Sequence, residues 1–377
     1  MFGWVLRSLA AERGRTALTI AALTAAVAVM LIFEGFRTGL YGQLRVFPQQ
    51  LGADLILGQE GVDNFVAARS VLPQRARKAA LAVDGVEGAY ALTLLPIIFE
   101  RHGVATPVQV VAFVELGAPE RIVEGRGIEE PRDVIVDISL AKDHDLSPGD
   151  TLEFLGWEFR VAGISAGTAA MFTPAVFMRY VDLVELYVSG DMPSDLPVDP
   201  PLLSHMLLQL RDGADVATVR AALEESFAPG DVHTPEELGE ADAAMGARLF
   251  GPVLGLLIGL SYVIGALVVG LTLFGSVQAR TSTFAVLGAV GAGPSRLAAA
   301  VLGEALVVAL IASILGVLAA LSGAELIETV RPGHTVDPWT TDALARTGVA
   351  VLVLSVLGAL LPLRRVLAID PALVFKA

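Results

Sequence analysis

The sequence predicts an α+β membrane protein. One transmembrane helix precedes a large α+β extracytoplasmic domain and three follow it, so four transmembrane helices are expected in a 1+3 arrangement. Three observations lead there. Hydrophobic residues make up 54% of the 377-residue chain and charged residues only 18%, against roughly 45–50% and about 25% in soluble domains. Four uncharged stretches approach or exceed the ~18–20 residues that cross a bilayer. Charge is also divided along the chain. Segments 1–15, 280–296 and 364–377 together hold eight Lys/Arg and two acids, while 37–249 holds 16 Lys/Arg and 32 Asp/Glu. Cations in short loops stay on the cytoplasmic side, so both termini are expected in the cytoplasm and the acidic domain outside it.

The elements follow in order. Residues 1–15 form a cytoplasmic N-terminus carrying Arg7, Arg13 and Arg15, and 16–36 the first transmembrane helix, with 18 uncharged residues from Thr16 to Phe33. Ala26-Val27-Ala28 has the small-x-small look of a signal-peptidase site, but the apolar run continues through Met30-Leu31-Ile32-Phe33, which reads as an uncleaved signal anchor. The domain 37–249 is expected to have two lobes, the strand-rich one at about 108–190. Val108–Val114, Val134–Val136, Thr151–Leu155 and Phe159–Ile164 read as strands, with Ser147-Pro148-Gly149-Asp150 as a turn. Leu72–Val83 and Asp215–Phe227 have helical spacing, and the proline-rich run Asp191–Pro201 reads as a solvated loop or hinge.

The second helix is expected at 250–279, followed by a basic loop at 280–296. The third is expected at 297–324, interrupted only by Glu304, then a loop at 325–346. The fourth occupies 347–363, ending before Arg364 and Arg365, and 364–377 forms the C-terminus. Gly251, Gly255 and Gly259 recur every four residues on the second span, spacing that lets two helices approach closely. Pro252 is placed at the start of that helix, where its missing N–H does no harm.

Several chemistries are excluded. The chain has no cysteine, so disulfides, thiolate zinc sites and cysteine nucleophiles are out. A net charge of −14 argues against nucleic acid. None of the three lysines, Lys78, Lys142 and Lys376, closes a Gly-Lys-Ser/Thr phosphate loop. His102, His144, His205, His233 and His334 are scattered and form no His-Glu-x-x-His pattern, so neither a catalytic residue nor a metal site is expected. The cluster Lys142-Asp143-His144-Asp145 reads as a solvated surface loop.

Glu34 stands out, because a carboxylate near the end of a spanning helix is costly unless it is paired, protonated or hydrated. Met30, four residues earlier, shares its helical face. Three readings stay open. Glu34 snorkels beside Arg37, lines a lateral substrate entrance with Met30, or joins Met30 in ligating haem iron. Glu304, about eight residues into the third span, pairs with Arg280 or Arg296, snorkels, or transmits motion.

The strongest local pattern is Ala279-Arg280-Thr281-Ser282-Thr283-Phe284-Ala285-Val286-Leu287-Gly288-Ala289-Val290-Gly291-Ala292, followed by Leu302-Gly303-Glu304-Ala305. Others are Pro362-Leu363-Arg364-Arg365 with Ile369-Asp370-Pro371, the stretch Val134–Ile164, and Leu51-Gly52-Ala53-Asp54-Leu55. With the 1+3 layout, these resemble the MacB/FtsX-type ABC permeases, most closely their DevC-like branch, over essentially the whole chain. In that family the loop after the second span is a coupling helix that docks on the ATPase. The resemblance marks Arg280, Thr283, Phe284, Leu287, Gly288 and Gly291 as the ATPase-coupling loop. Thr283 stands where the family usually has Glu, and Gly288 where it has Arg or Lys.

The resemblance implies a permease subunit of an ABC exporter in the bacterial cytoplasmic (inner) membrane. It implies a second copy of the chain and a separate ATPase that binds ATP and Mg, with no cofactor in this chain. Mechanotransmission would move a hydrophobic or amphipathic cargo, such as a lipid, glycolipid, haem, peptide or drug. Further implied partners are membrane lipids, a periplasmic membrane-fusion adaptor and an outer-membrane channel. The alternative is an FtsX-like regulatory membrane protein that activates an extracytoplasmic cell-wall hydrolase.

Overall fold

A computed structural model describes residues 13–65, 70–154, 156–169, 173–189, 203–227, 230–278, 286 and 292–367. The chain divides into a helical unit, residues 1–39, 252–329 and 336–377, and an α+β unit, residues 40–251 and 330–335.

The α+β unit is built on one mixed sheet of ten strands: β1 (Leu55–Gln59), β2 (Val86–Arg101), β3 (Val104–Phe113), β4 (Ile122–Gly125), β5 (Asp133–Asp137), β6 (Thr151–Phe154), β7 (Trp157–Ser165), β8 (Ala175–Arg179), β9 (His205–Leu210) and β10 (Gly230–His233). Their order is β10-β1-β9-β2-β3-β8-β5-β7-β4, with β6 paired to β7. Strands β2 and β3 form a hairpin in ten-residue register from Leu92↔Phe113 to Arg101↔Val104. His102 and Gly103 close it, both at positive φ, as a two-residue turn between twisted strands requires.

The strands predicted at 108–114, 134–136, 151–155 and 159–164 are found as β3, β5, β6 and β7, with Leu155 outside the described residues. The two helical windows become α2 (Arg75–Leu81) and α5 (Val216–Ser226). Strand content is not confined to about 108–190, however. β1, β2, β9 and β10 lie outside that range. They were harder to read because a strand buried on both faces lacks alternation; Leu55, Ile56 and Leu57 are all buried.

Buried cores line this sheet. One gathers Leu57, Leu72, Ala76, Met206, Leu223 and Val232; another gathers Phe99, Val110, Val136, Leu152, Phe159 and Leu183; a third gathers Ile56, Leu92, Val111, Ile135 and Leu207. The second of these also takes side chains from α3 (Ile138–Asp143) and α4 (Tyr180–Ser189). Asp137 caps α3, accepting from the Ser139 N–H at 2.9 Å and from Thr168 Oγ1 at 2.6 Å. Asp133 is fully buried between Arg126 and Arg160. Burial alone would raise its carboxyl, but the Glu130 N–H and the two guanidiniums outweigh that and hold it below the usual carboxylate range.

Within the cluster Lys142–Asp145, read as a solvated loop, His144 departs from that reading. His144 is buried, bonded to Thr106 at 2.9 Å and packed edge-on against Phe99; Lys142, Asp143 and Asp145 are exposed, and Asp143 reaches Arg331 at 3.2 Å. Burial lowers the His144 pKa. The apolar neighbour four residues away, Leu140, pulls this turn onto the core. His205 on β9 is 3% exposed, and neither ring nitrogen has a hydrogen-bond partner. Its pKa is pushed down to about 3, by burial first and by His233 second.

A testable consequence follows from His205. The unfolded imidazole takes a proton below its ordinary value of about 6.5, whereas the folded one stays neutral until about pH 3. Its stabilising effect is complete above pH 6.5 and falls by about 1.4 kcal/mol per pH unit as pH drops below it. Unfolding of the full chain followed between pH 7 and 4.5 should show that decline, and His205→Leu should flatten it. Parallel profiles for the two chains would refute this role.

The helical unit contains four long helices: α1 (Arg13–Gln49), α6 (Pro235–Gln278), α7 (Pro294–Val330) and α8 (Thr341–Leu367). α1 and α6 also contribute their residues 40–49 and 235–251 to the α+β unit. All four are long and apolar enough to cross a membrane, and each exceeds its uncharged run. α6 begins fifteen residues before Phe250, so Pro252 lies inside the helix and not at its start. The start is set by Thr234 and Glu237. The Glu237 N–H donates to Thr234 Oγ1 at 3.2 Å, and the Thr234 N–H donates to Glu237 Oε2 at 3.0 Å, a reciprocal capping box.

In the helical unit, α1 packs Leu23, Val27, Met30 and Leu31 against the small residues Ala305, Ala309, Ala312 and Ala320 of α7. A Cβ on Gly316 would meet Val27 Cγ1 at 2.6 Å, so only glycine admits that approach. Elsewhere the helices turn apolar side chains outward, among them Leu256, Leu267, Leu271, Leu310 and Val349, the surface expected of helices in lipid.

Candidate functional site

The structure gathers a polar cluster at Glu34 in the helical unit. Glu34 is 2% exposed. Its Oε2 accepts from Arg37 Nε at 3.0 Å, and its Oε1 accepts from the Tyr262 hydroxyl at 2.9 Å. Arg37 also donates to Asp342 Oδ2 at 3.0 Å, and Arg346 to Asp342 Oδ1 at 3.0 Å. The residues come from α1, α6 and the first turns of α8, and Glu34, Arg37, Asp342 and Arg346 are charged in alternating sign.

A second strand of contacts runs beside it. The Asp337 N–H donates to the Gly35 carbonyl at 2.9 Å, and Thr38 Oγ1 donates to the Asp337 carbonyl at 2.8 Å. A Cβ on Gly35 would lie 2.7 Å from Pro338 N and 2.9 Å from Asp337 C. The connection between α7 and α8 is therefore pressed directly onto the α1 backbone.

Such a cluster binds helices together. Glu34 is a buried, paired carboxylate: it has the Arg37 partner of the snorkelling reading but is buried, a form in which a charge away from water is tolerated. Met30 is buried as well, with its methyl group pressed on Gly265. Sequence reasoning singled out Glu34 and Met30 but missed Tyr262, Asp342 and Arg346. A signal was there: Tyr262 is the one hydroxyl-bearing aromatic in the run Phe250–Ala279, and Asp342 and Arg346 are spaced i, i+4.

The other candidates are not brought to this cluster. A Cβ at Gly255 or Gly259 would meet nothing within 4 Å, and one at Gly251 only Tyr41 at 3.7 Å. Close approaches within the helical unit are found instead at Gly35, Gly265 and Gly316, and α6 makes two more in the α+β unit at Gly239 and Gly246. Glu304 is buried beside Ala300, Val301 and Val308. Arg280, Thr283, Phe284, Leu287, Gly288 and Gly291 lie outside the described residues, as do Asp191–Pro201 and Ile369-Asp370-Pro371.

Residues 16–226 match the family model for the MacB-like periplasmic core domain, and residues 255–371 match that for the FtsX-like permease C-terminal domain. The chain belongs to the MacB/FtsX-type permease family. With its four apolar helices it is a multi-pass membrane protein. An uncharacterized ABC transporter permease of Mycobacterium bovis is 27% identical over 98% of both chains, and another of Mycobacterium tuberculosis is 24% identical over 98% of both. Among solved structures, the periplasmic region of MacB from Actinobacillus actinomycetemcomitans is 12% identical with a TM-score of 0.38, covering 51% of this chain and 94% of that one. The extracellular domain of the noncanonic ABC-type transporter YknZ from Gram-positive bacteria is 12% identical with a TM-score of 0.35, covering 48% and 100%.

Proposed function

We propose that this MacB/FtsX-type permease is the membrane subunit of an ABC exporter, which couples ATP hydrolysis by a separate ATPase subunit to movement of a hydrophobic or amphipathic cargo. The observation that carries this is the order of the two family matches, 16–226 and then 255–371, the first covering α1 and the sheet through β9, the second most of the three helices that follow. Homologues of similar length named as ABC transporter permeases support the same reading.

In this reading the distribution of Lys/Arg places both termini in the cytoplasm and 37–249 outside it. The loop 280–296 receives the ATPase through the apolar Phe284 and Leu287, and two copies of the chain work together. ATPase closure shifts the loop, the helices move, and the α+β units follow. Work is done only if cargo binds the two states with different affinity. The Glu34 cluster suits such a device, since ion pairs between α1 and the start of α8, and a hydrogen bond to α6, make these segments move as one body.

The test is purification of the tagged chain in mild detergent, with mass spectrometry of what accompanies it. A P-loop ATPase is expected. Leu287→Asp should abolish its association, because an apolar docking residue becomes a charge that must be desolvated. Normal association in that variant would refute the coupling-loop assignment. A cell-wall hydrolase in place of a membrane-fusion adaptor would overturn the exporter reading in favour of the regulatory one.

A further inference from the structure

A cavity of about 240 Å³ opens within the α+β unit. Phe47 of α1, Phe65 after β1 and Leu94 of β2 form one wall. That wall is held from several sides. The Phe65 ring stands edge to face with Phe47, centroids 6.1 Å apart, and with His205, 4.5 Å apart. Asp242 of α6 is also in the lining and serves the wall, since its Oδ1 accepts the Phe65 N–H at 2.7 Å. Pro96 of β2 and Pro107 of β3 form the mouth, lining the cavity while exposed. The pairing of β9 with β2 runs to Leu92 and that of β8 with β3 begins at Gln109, so both prolines lie where the hairpin outruns its neighbours, as proline in a sheet requires. Ile98, two residues from Pro96 and opposite Pro107, is 74% exposed. Apolar surface therefore runs from outside into the cavity.

We infer that this cavity binds a neutral bicyclic aromatic group carrying one hydroxyl, its rings against the Phe47–Phe65 wall and its hydroxyl toward Thr173 and Gln109. Size sets the first limit. A cavity of about 150 Å³ holds benzene, so this one takes on the order of ten heavy atoms. Rigidity favours a ring over a chain: the prolines have no rotamers to freeze, the aromatic wall is already in place, and a flat ligand loses little freedom on entering. Edge-to-face contact with the phenylalanines adds to the burial of area. The polar groups set the last limit. Among the described residues the Thr173 hydroxyl has no hydrogen-bond partner, and Gln109 makes one side-chain bond, donating to the Val110 carbonyl at 3.3 Å, which leaves its amide oxygen as an acceptor. Both line the cavity, and no Lys, Arg or His is among the lining residues, so a carboxylate head would be desolvated without a partner. A few neutral polar groups in a mostly apolar lining are the usual composition of a small-molecule site.

That such a group belongs to the cargo rests on the proposed function; that it binds does not. The test uses the full chain in nanodiscs and equilibrium dialysis with three probes of one shape: 1-naphthylmethanol, 1-ethylnaphthalene and 1-naphthoate. Empty nanodiscs give the lipid background. The wild-type chain should bind the alcohol and the hydrocarbon saturably and in competition with each other, and should not bind the naphthoate above background. Thr173→Val keeps the shape of the side chain and removes its hydroxyl. It should weaken the alcohol about three- to tenfold, as loss of one hydrogen bond does, and should not weaken the hydrocarbon. Leu94→Trp, which fills the cavity from a half-buried position, should abolish binding of both.

Absence of saturable alcohol binding by the wild-type chain would overturn the proposal, and so would naphthoate bound as tightly as the alcohol. Those comparisons need no variant to fold. Equal loss of alcohol and hydrocarbon in Thr173→Val, or unchanged binding in both variants, would overturn it as well. Should the alcohol bind while no ATPase accompanies the chain, the exporter reading falls and the site stands; an assembled ATPase complex without saturable alcohol binding gives the reverse. In the assembled complex, the alcohol should stimulate ATP hydrolysis, and binding without stimulation would refute its place as cargo.

Discussion

Glu34→Ala should destabilise the helical unit by about 2–4 kcal/mol, as breaking a buried ion pair from one side does. The loss has two parts. Arg37 keeps Asp342 as a partner but loses a carboxylate 2.9 Å away, and the Tyr262 hydroxyl loses its acceptor. An unsatisfied buried hydroxyl alone costs about 1–3 kcal/mol. Glu34→Gln retains an oxygen for Tyr262 and should cost about half as much. Unfolding of the purified chain in detergent reads both. A double-mutant cycle with Arg37→Ala isolates the pair and should return a coupling energy above about 1 kcal/mol. If Glu34→Ala unfolds within about 0.5 kcal/mol of the parent, the cluster does not hold the helices together.

Gly35→Leu should be the most damaging single change in the helical unit. The atoms a Cβ would strike at 2.7–2.9 Å are the backbone of Asp337 and Pro338, and no rotamer relieves a clash with backbone. The α7–α8 connection must lift away, which breaks the bond from the Asp337 N–H to the Gly35 carbonyl and that from Thr38 to the Asp337 carbonyl. Overpacking costs about 1–3 kcal/mol and each lost hydrogen bond about 1 kcal/mol, so about 3 kcal/mol or more is expected. Gly255→Leu is the matched control. Nothing stands within 4 Å of its Cβ position, so the isolated chain should tolerate it, and any effect should appear in association of two copies. Equal unfolding temperatures for Gly35→Leu and Gly255→Leu would contradict the close contact at Gly35.

What the sequence made legible was what depends on local pattern. The apolar runs located all four long helices, and β-branched runs located β3, β5, β6 and β7, because burial of one stripe or face leaves a period in the chain. Helix ends were less legible. The apolar run of the second span begins near Phe250, yet the helix is nucleated by Thr234 and Glu237, whose short-range signature lies outside any hydropathy window. Glu34 was visible as an anomaly, but its partners were not, since Tyr262 and Asp342 lie hundreds of residues away in sequence and only packing brings them near. The glycines show the same limit. Regular spacing drew attention to Gly251, Gly255 and Gly259, whereas tight approaches within the helical unit fall at Gly35, Gly265 and Gly316, which share no motif.

The sheet order has a consequence for how the protein is made. β1 sits between β9 and β10, with Leu57 paired to Met206 on one side and to Val232 on the other. When β1 leaves the ribosome, neither neighbour has been synthesised. At about 5–20 residues per second, roughly 7–30 seconds pass before β9 emerges. Through that interval Leu55, Ile56 and Leu57, all buried in the finished sheet, have no native strand to pair with. Completion of the sheet around β1 is thus a late event of high contact order, and nascent chains stalled before residue 205 should be bound by chaperones at this strand.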